Sequence, residues 1–233
     1  LAGIIFSNNN LSQGWNFAGK DLTNTKLENT ILTNVDFSNA SLANTNLTNA
    51  NATNANFSNT VANGLTQAQL ESTTNKLKSI NLSNNDFNSE NWNFANADLT
   101  NTKFENSKLV GVDFSNAILK DTSFANANLE NANLTSATQN GFTESQLREA
   151  ANVSGANFSD NNFSGWDLSS LDLTNTSLAN TNLAGADFTN ATLKNTSFAN
   201  AYLVHANLSG ATKNGFTQSQ LREAESVNGT NFS

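Results

Sequence analysis

The 233-residue chain has no cysteine, proline or methionine, and its one histidine is His205. Without cysteine there is no disulfide framework and no thiolate nucleophile, and a Cys/His zinc site is excluded. A serine–histidine triad would have to be built on His205 alone. Charge is scarce as well: 13% of residues are charged, with 19 acids against 11 bases for a net −8. The clustered Lys and Arg that hold a nucleic-acid backbone are missing, so no direct nucleic-acid binding is expected. No apolar run approaches the roughly 20 residues of a membrane span, so no transmembrane segment is expected. The opening Leu1-Ala2-Gly3-Ile4-Ile5-Phe6 is too short for a complete signal peptide and lacks its basic flank. With no initiator methionine, the chain reads as a piece of something longer.

Asparagine and phenylalanine are abundant instead. Asn is about a fifth of the chain, a bias that suggests repetition. From Phe17 a large apolar residue returns every five positions, at Leu22, Leu27, Leu32, Phe37, Leu42 and Leu47. The rhythm resumes at Leu82 and Phe87, slips by two, and continues from Phe94 to Leu134. It returns from Phe158 to Leu208 without a slip. Two residues before each centre sits a smaller one, such as Thr25, Val35, Ala97 or Ala186. Neither the helical period of 3.6 nor the strand period of 2 yields strict fives. A five-residue period suits a coil whose short straight sides each bury two side chains before a corner. Two residues after each centre come Asn24, Asn29, Asn34 and their successors, with Gly111, Asp121, Gly185 and His205 as variants. These types tolerate left-handed backbone, so the slot reads as the corner.

Phrases such as Ala97-Asp98-Leu99-Thr100-Asn101, Ala127-Asn128-Leu129-Glu130-Asn131 and Ala186-Asp187-Phe188-Thr189-Asn190 resemble the A(D/N)LXX unit of pentapeptide-repeat proteins. The resemblance covers most of the chain. It implies an all-β fold, a right-handed quadrilateral β-helix with four pentapeptides per coil, and it carries no shared active site. The Phe positions agree with four sides. Centres at even places in each block are nearly all Leu, and Phe falls mainly at odd places, with Phe87 and Phe163 as exceptions. Phe17, Phe37 and Phe57 are then expected to stack, and 14 of the 16 Phe are core centres.

A longer period separates Phe6, Leu82, Phe158 and Phe232 by 76, 76 and 74 residues. The chain divides accordingly into one continuous solenoid over 1–233, with sub-blocks 1–76, 77–152 and 153–226 and the start of another at 227–233. Joining segments at Gly64–Leu70, Gly141–Leu147 and Gly215–Leu221 each contain Thr followed three residues later by Gln, a capping box, with an apolar residue placed to staple Phe142 onto Leu147. Each is expected to be a helix of about two turns docked on the coil. Eleven clear pentapeptides per block plus one further side make twelve, hence three whole coils, which predicts all three helices on one face about 14 Å apart.

The interaction candidates are Trp15, Trp92 and Trp166, one per block in the small inward slot, together with Arg148 and Arg222 of the joining segments. A ring filling space where the coil is irregular is the plainer account of the tryptophans. Asn84-Asn85-Asp86 and Ser159-Asp160-Asn161-Asn162 offer oxygen ligands but lack the Gly-rich pattern of calcium-binding β-rolls, so neither metal nor cofactor is expected. The reading is a non-enzymatic structural or scaffolding protein, part of a longer array or a self-stacking fibre, with itself or another protein as partner. Two alternatives are a DNA-mimicking inhibitor of type II topoisomerases, which the resemblance implies for some relatives, and an ice- or polysaccharide-binding surface. Low charge and the lack of cysteine favour an exterior location.

Overall fold

The computed structural model describes residues 1–12, 14–88 and 92–232, so Gln13 of the first sub-block, residues 89–91 of the second and Ser233 of the fourth lie outside the described residues. The chain forms two compact units. The first comprises Leu1–Trp92, Asp98–Lys108 and Lys120–Ala125, and the second Asn93–Ala97, Leu109–Leu119 and Asn126–Ser233.

In the first unit, parallel bridges join Asp21 to Ser41, Lys26 to Asn46, Ile31 to Asn51 and Asp36 to Asn56. Each pair is 20 residues apart, so four five-residue sides close one coil. The second unit repeats the spacing, with Asp167 on Asp187, Asp172 on Thr192, Ser177 on Ser197 and Asn182 on Tyr202. The corners are left-handed. Asn24, Asn29, Asn34 and Asn39 have φ of 58°, 55°, 62° and 59°, and His205 takes the same corner at 58°. Asparagine serves a corner twice, because its side chain also reaches the next coil. Asn44 Nδ2 donates to Asn24 Oδ1 at 3.3 Å, and Asn200 Nδ2 to Asn180 Oδ1 at 3.2 Å.

The lumen is filled by buried Phe, Leu and small side chains. Phe17, Phe37 and Phe57 are fully buried and stack at 5.3 and 5.0 Å, as the five-residue rhythm predicts. Leu22, Leu32 and Leu42 fill the alternate walls. Each buried Phe or Leu contributes roughly 1.5–3 kcal/mol relative to exposure, repeated at every side. Small residues complete the lining, and where they are threonines the hydroxyl is bonded: Thr45 Oγ1 donates to Leu22 O at 2.9 Å.

Among the described residues three short helices interrupt the coil: α1 (Gln67–Glu71), α2 (Glu144–Glu149) and α3 (Gln218–Glu223). Each is five or six residues, about a turn and a half rather than two. All three have the expected capping box, from Thr66, Thr143 and Thr217. The box glutamine also docks the helix. Gln69 Oε1 accepts from the Thr66 N–H at 2.7 Å, while its Nε2 donates to Leu42 O and Thr45 O at 2.7 and 2.8 Å. Gln220 makes the same pair of bonds to Leu193 O and Thr196 O. Before each helix runs a 3-10 turn, Val61–Asn63, Ala137–Asn140 or Ala211–Asn214. Its closing glycine is left-handed. Gly64, at φ 90°, lies so near Ala43 that a Cβ would meet the Ala43 Cα at 2.9 Å.

The expectation of helices on one face is overturned. The second unit contains both α2 and α3. Between them run twelve bridged sides, from Asn152 to Asn207, then the 3-10 turn as a thirteenth. Helix α3 is the fourteenth, three and a half coils after α2, and the two therefore lie on opposite walls. Bonds fix both seats: Asn126 N donates to Glu149 O, and Asn200 N to Glu223 O. The count of twelve failed because three non-pentapeptide sides, not one, separate the clear repeats. The 3-10 turn supplies one, the helix a second, and the side centred on Val153 or Val227 a third.

Candidate functional site

The places where a helix replaces a side bring together residues that the sequence leaves far apart. A helix cannot hand its neighbours the regular ladder of a flat side, and specific side chains repair the break. Around α1 the repair is Asn85. It is buried, and its Oδ1 accepts from Thr60 N and Val61 N at 2.8 and 2.9 Å. Its Nδ2 donates to Phe57 O and Leu82 O at 3.0 and 2.9 Å. Around α2 the repair is Asn161, which takes the Thr138 N–H at 2.8 Å and gives to Leu134 O and Phe158 O at 2.9 and 2.8 Å. These were the asparagines considered as calcium ligands; they point inward, with their amides committed to main chain. Both stand two residues before the Phe centres that break the Phe/Leu alternation, Phe87 and Phe163. That coincidence was the available signal for this role.

The tryptophans belong to the same joints. Trp166 opens the side that follows α2 by one coil. It stacks on Phe163 at 4.2 Å and meets Phe142 at 6.2 Å. Trp92 follows α1 by four sides and is 5% exposed, with its ring edge-on to Phe87 at 5.0 Å. Trp15 is 45% exposed, edge-on to Phe6 at 5.4 Å. Half-buried, buried and exposed in turn, the three do not form a uniform aromatic array, and Trp15 does not lie in a covered inward slot as expected. Among the described residues its ring contacts are Phe6 and Phe17, and no helix-entrance Phe packs on it as Phe142 does on Trp166. Phe142, expected to staple onto Leu147, stacks on Phe158 at 6.4 Å and thereby joins the helix entrance to the lumen.

Arg148 of α2 reaches across the joint. Its Nη1 donates to Asp167 O at 2.8 Å and pairs with Asp167 Oδ1 at 3.2 Å. Hydrogen bonds from Ser169 hold the Asp167 carboxyl below its ordinary pKa, and Arg148 adds a smaller effect in the same direction. Arg222, at the equivalent position of α3, is exposed and has no ion pair among the described residues. The outer walls are bonded to themselves. Thr48 Oγ1 donates to Asn46 Oδ1 and Thr135 Oγ1 to Asn133 Oδ1, both at 2.7 Å. A polar groove of about 320 Å³ beside α3 is lined by Asn195, Thr217, Gln220 and Glu223 among others. Among the described residues no group of three or more His, Cys, Asp or Glu side chains could hold a metal ion, and no helix is long and apolar enough to cross a membrane.

A family model for pentapeptide repeats matches the chain in eight copies, over residues 16–60, 76–116, 97–136 and 172–210, and the chain belongs to that family. Its members form right-handed quadrilateral β-helices and act as structural and interaction proteins. No curated protein sequence matches the chain. Among solved structures it is similar to a trypsin-treated form of QnrB1, a plasmid-mediated fluoroquinolone resistance protein. The identity is 15% over 99% of this chain and 90% of that one, with a TM-score of 0.36. HetL, involved in heterocyst differentiation regulation in the cyanobacterium Nostoc, is 21% identical over 98% and 85%, with a TM-score of 0.29. Rfr23 from the cyanobacterium Cyanothece is 20% identical over 67% and 87%, with a TM-score of 0.23. Likeness at this level carries nothing about what this chain binds.

Proposed function

We propose that the protein is a non-enzymatic scaffold whose coils assemble end to end into longer arrays and present regular polar walls to protein partners. The observation that carries this reading is repetition: the same joint, with Asn85 at α1 and Asn161 at α2, seats one block on the next. The walls are small, polar and internally bonded, suited to broad contact rather than to a reaction. Analytical ultracentrifugation and negative-stain microscopy test the reading. Concentration-dependent rods of uniform width are expected, and a monomer at every concentration overturns it.

The topoisomerase reading draws no support from the charge pattern. Three of the aspartates that would have to form a carboxylate row, Asp86, Asp98 and Asp167, are paired with Lys108, Lys78 and Arg148. A gyrase supercoiling assay is expected to show no inhibition. Ice binding is disfavoured by the threonine hydroxyls, which donate to their own walls.

A further inference from the structure

One wall of the second unit carries hydrogen-bond donors that the coil itself does not use. Three successive coils build it, joined by the bridges of Asn162 to Asn182 and Asn182 to Tyr202. In other stacks the outward amide is spent on the neighbouring coil: Asn56 Nδ2 donates to Asp36 Oδ1, and Asn133 Nδ2 to Asp113 Oδ1, both at 3.0 Å. On this wall that ladder is absent. Asn162 Oδ1 accepts from Ser164 N at 3.2 Å and Asn182 Oδ1 from Ala184 N at 3.1 Å, which fixes both amides. Their Nδ2 groups have no acceptor among the described residues. Tyr202, on the next coil, is the one tyrosine of the chain. It is 43% exposed, and neither its ring nor its hydroxyl has a partner among the described residues.

The wall is also bare at one edge and uncharged. The corners that follow Asn162 and Asn182 are Gly165 and Gly185, where most other corners carry asparagine. A Cβ at either glycine would meet nothing within 4 Å, so no neighbour imposes them, and their effect is to leave the edge without side chains. Val204 and His205 complete the Tyr202 coil. No Asp, Glu, Lys or Arg occurs in 162–165, 182–185 or 202–205. Carboxylates flank the wall instead. Asp160, at the preceding corner, accepts from Asn180 Nδ2 at 3.1 Å, and Asp187 stands on the side that follows.

We propose that this wall binds a neutral, extended, β-linked glycan lying along the coil axis. The Nδ2 groups of Asn162 and Asn182 are pure donors, and sugar hydroxyl oxygens accept from them. Tyrosine offers an apolar ring with a polar tip, which a pyranose matches with a C–H face rimmed by hydroxyls. Neighbouring coils recur about every 4.8 Å, and a β-1,4-linked chain advances by a similar step per sugar while staying flat. An α-linked chain curls away from such a surface. Asp160 and Asp187 on the flanks repel an anionic polysaccharide. A protein partner is the poorer match, because one isolated ring among polar side chains is not the apolar centre around which protein interfaces form.

The test is affinity electrophoresis of the full chain in gels containing hydroxyethylcellulose, with dextran and pectate as the α-linked and anionic controls. Retardation by hydroxyethylcellulose alone is expected, with cellohexaose competing. Tyr202→Ala should weaken it about tenfold. Asn162→Asp and Asn182→Asp keep the turn bond, as Asp187 Oδ1 keeps one from Thr189 N at 2.9 Å, and remove the donor. Each should weaken retardation about fivefold. Tyr202 and Asn162 are exposed and Asn182 half-buried, so circular dichroism should be unchanged in all three variants. No retardation, or retardation that all three variants retain, overturns the proposal, and so does equal retardation by dextran or pectate. Sedimentation velocity checks the other occupant. If Tyr202→Ala separates copies of the chain and leaves glycan retardation unchanged, the wall is a self-contact and the proposal fails.

Discussion

Residues 6–12 and 82–88 open the same phrase, and it closes in both places with Trp-Asn-Phe, at Trp15 and at Trp92. Both stretches belong to the first unit, and both set their Trp edge-on to a neighbouring Phe, at 5.4 Å and 73° for Trp15 and 5.0 Å and 85° for Trp92. Their surroundings differ. In the second, a coil already lies beneath: Asn85 is buried with its amide fully used, and Trp92 is covered. In the first, the Asn9 side chain bonds only within its own turn among the described residues, and Trp15 is exposed. Burial in this fold is therefore a property of the preceding coil, not of the segment itself. That is the nearest-neighbour behaviour expected of a solenoid.

The largest test of that contrast is to remove each ring. Trp92→Ala should lower stability by roughly 3–5 kcal/mol through the cavity it opens. Trp15→Ala should cost under about 1 kcal/mol in the monomer. Urea unfolding followed by far-ultraviolet circular dichroism compares the two, and equal losses would break the contrast. Next come the asparagines. Asn85→Ala strands two turn N–H groups and two carbonyls, an expected loss of about 2–3 kcal/mol, whereas Asn9→Ala should change stability by no more than about 0.5 kcal/mol. Amide exchange should localise the Asn85 effect to Thr60 and Val61.

A smaller effect is expected at the helix cap. Thr66→Ala removes the acceptor for the Gln69 N–H and loosens the Gln69 dock on Leu42 and Thr45, costing about 1 kcal/mol. The smallest is electrostatic. The Asp167 carboxyl is held below its ordinary pKa by Ser169 and then Arg148. A depressed folded pKa adds stability that is present above the unfolded value near 4 and is lost as pH falls through the folded value. Arg148→Ala should flatten that acid-side dependence slightly, by less than about 1 kcal/mol, since the pair is solvent-exposed and screened. Thermal unfolding at stepped pH measures it, and a steeper acid loss in the variant would contradict the assignment.

Sides, corners and lumen were legible residue by residue. The Asn slot two after each centre is left-handed, the Phe17, Phe37 and Phe57 rings stack, and the Thr-x-x-Gln boxes cap helices. The placement of those helices was not legible, and the cause is specific. Phe and Leu alternate every two sides, so the alternation is identical whether a block holds twelve sides or fourteen. Nothing in the five-residue rhythm marks the 3-10 turn around Ala137 or the side centred on Val153 as sides of their own. Asn85 and Asn161 were visible only as breaks in pattern beside Phe87 and Phe163, because their partners are some 25 residues away in sequence.

By itself the sequence determined a four-sided coil, since every fifth residue must be apolar and every corner must tolerate a left-handed backbone. Those are local demands, met within a few residues. Tertiary structure alone decided that α2 and α3 face opposite walls and that Trp92 is covered while Trp15 is open. Each of those depends on which coil lies one turn away, a distance the five-residue phrase does not encode.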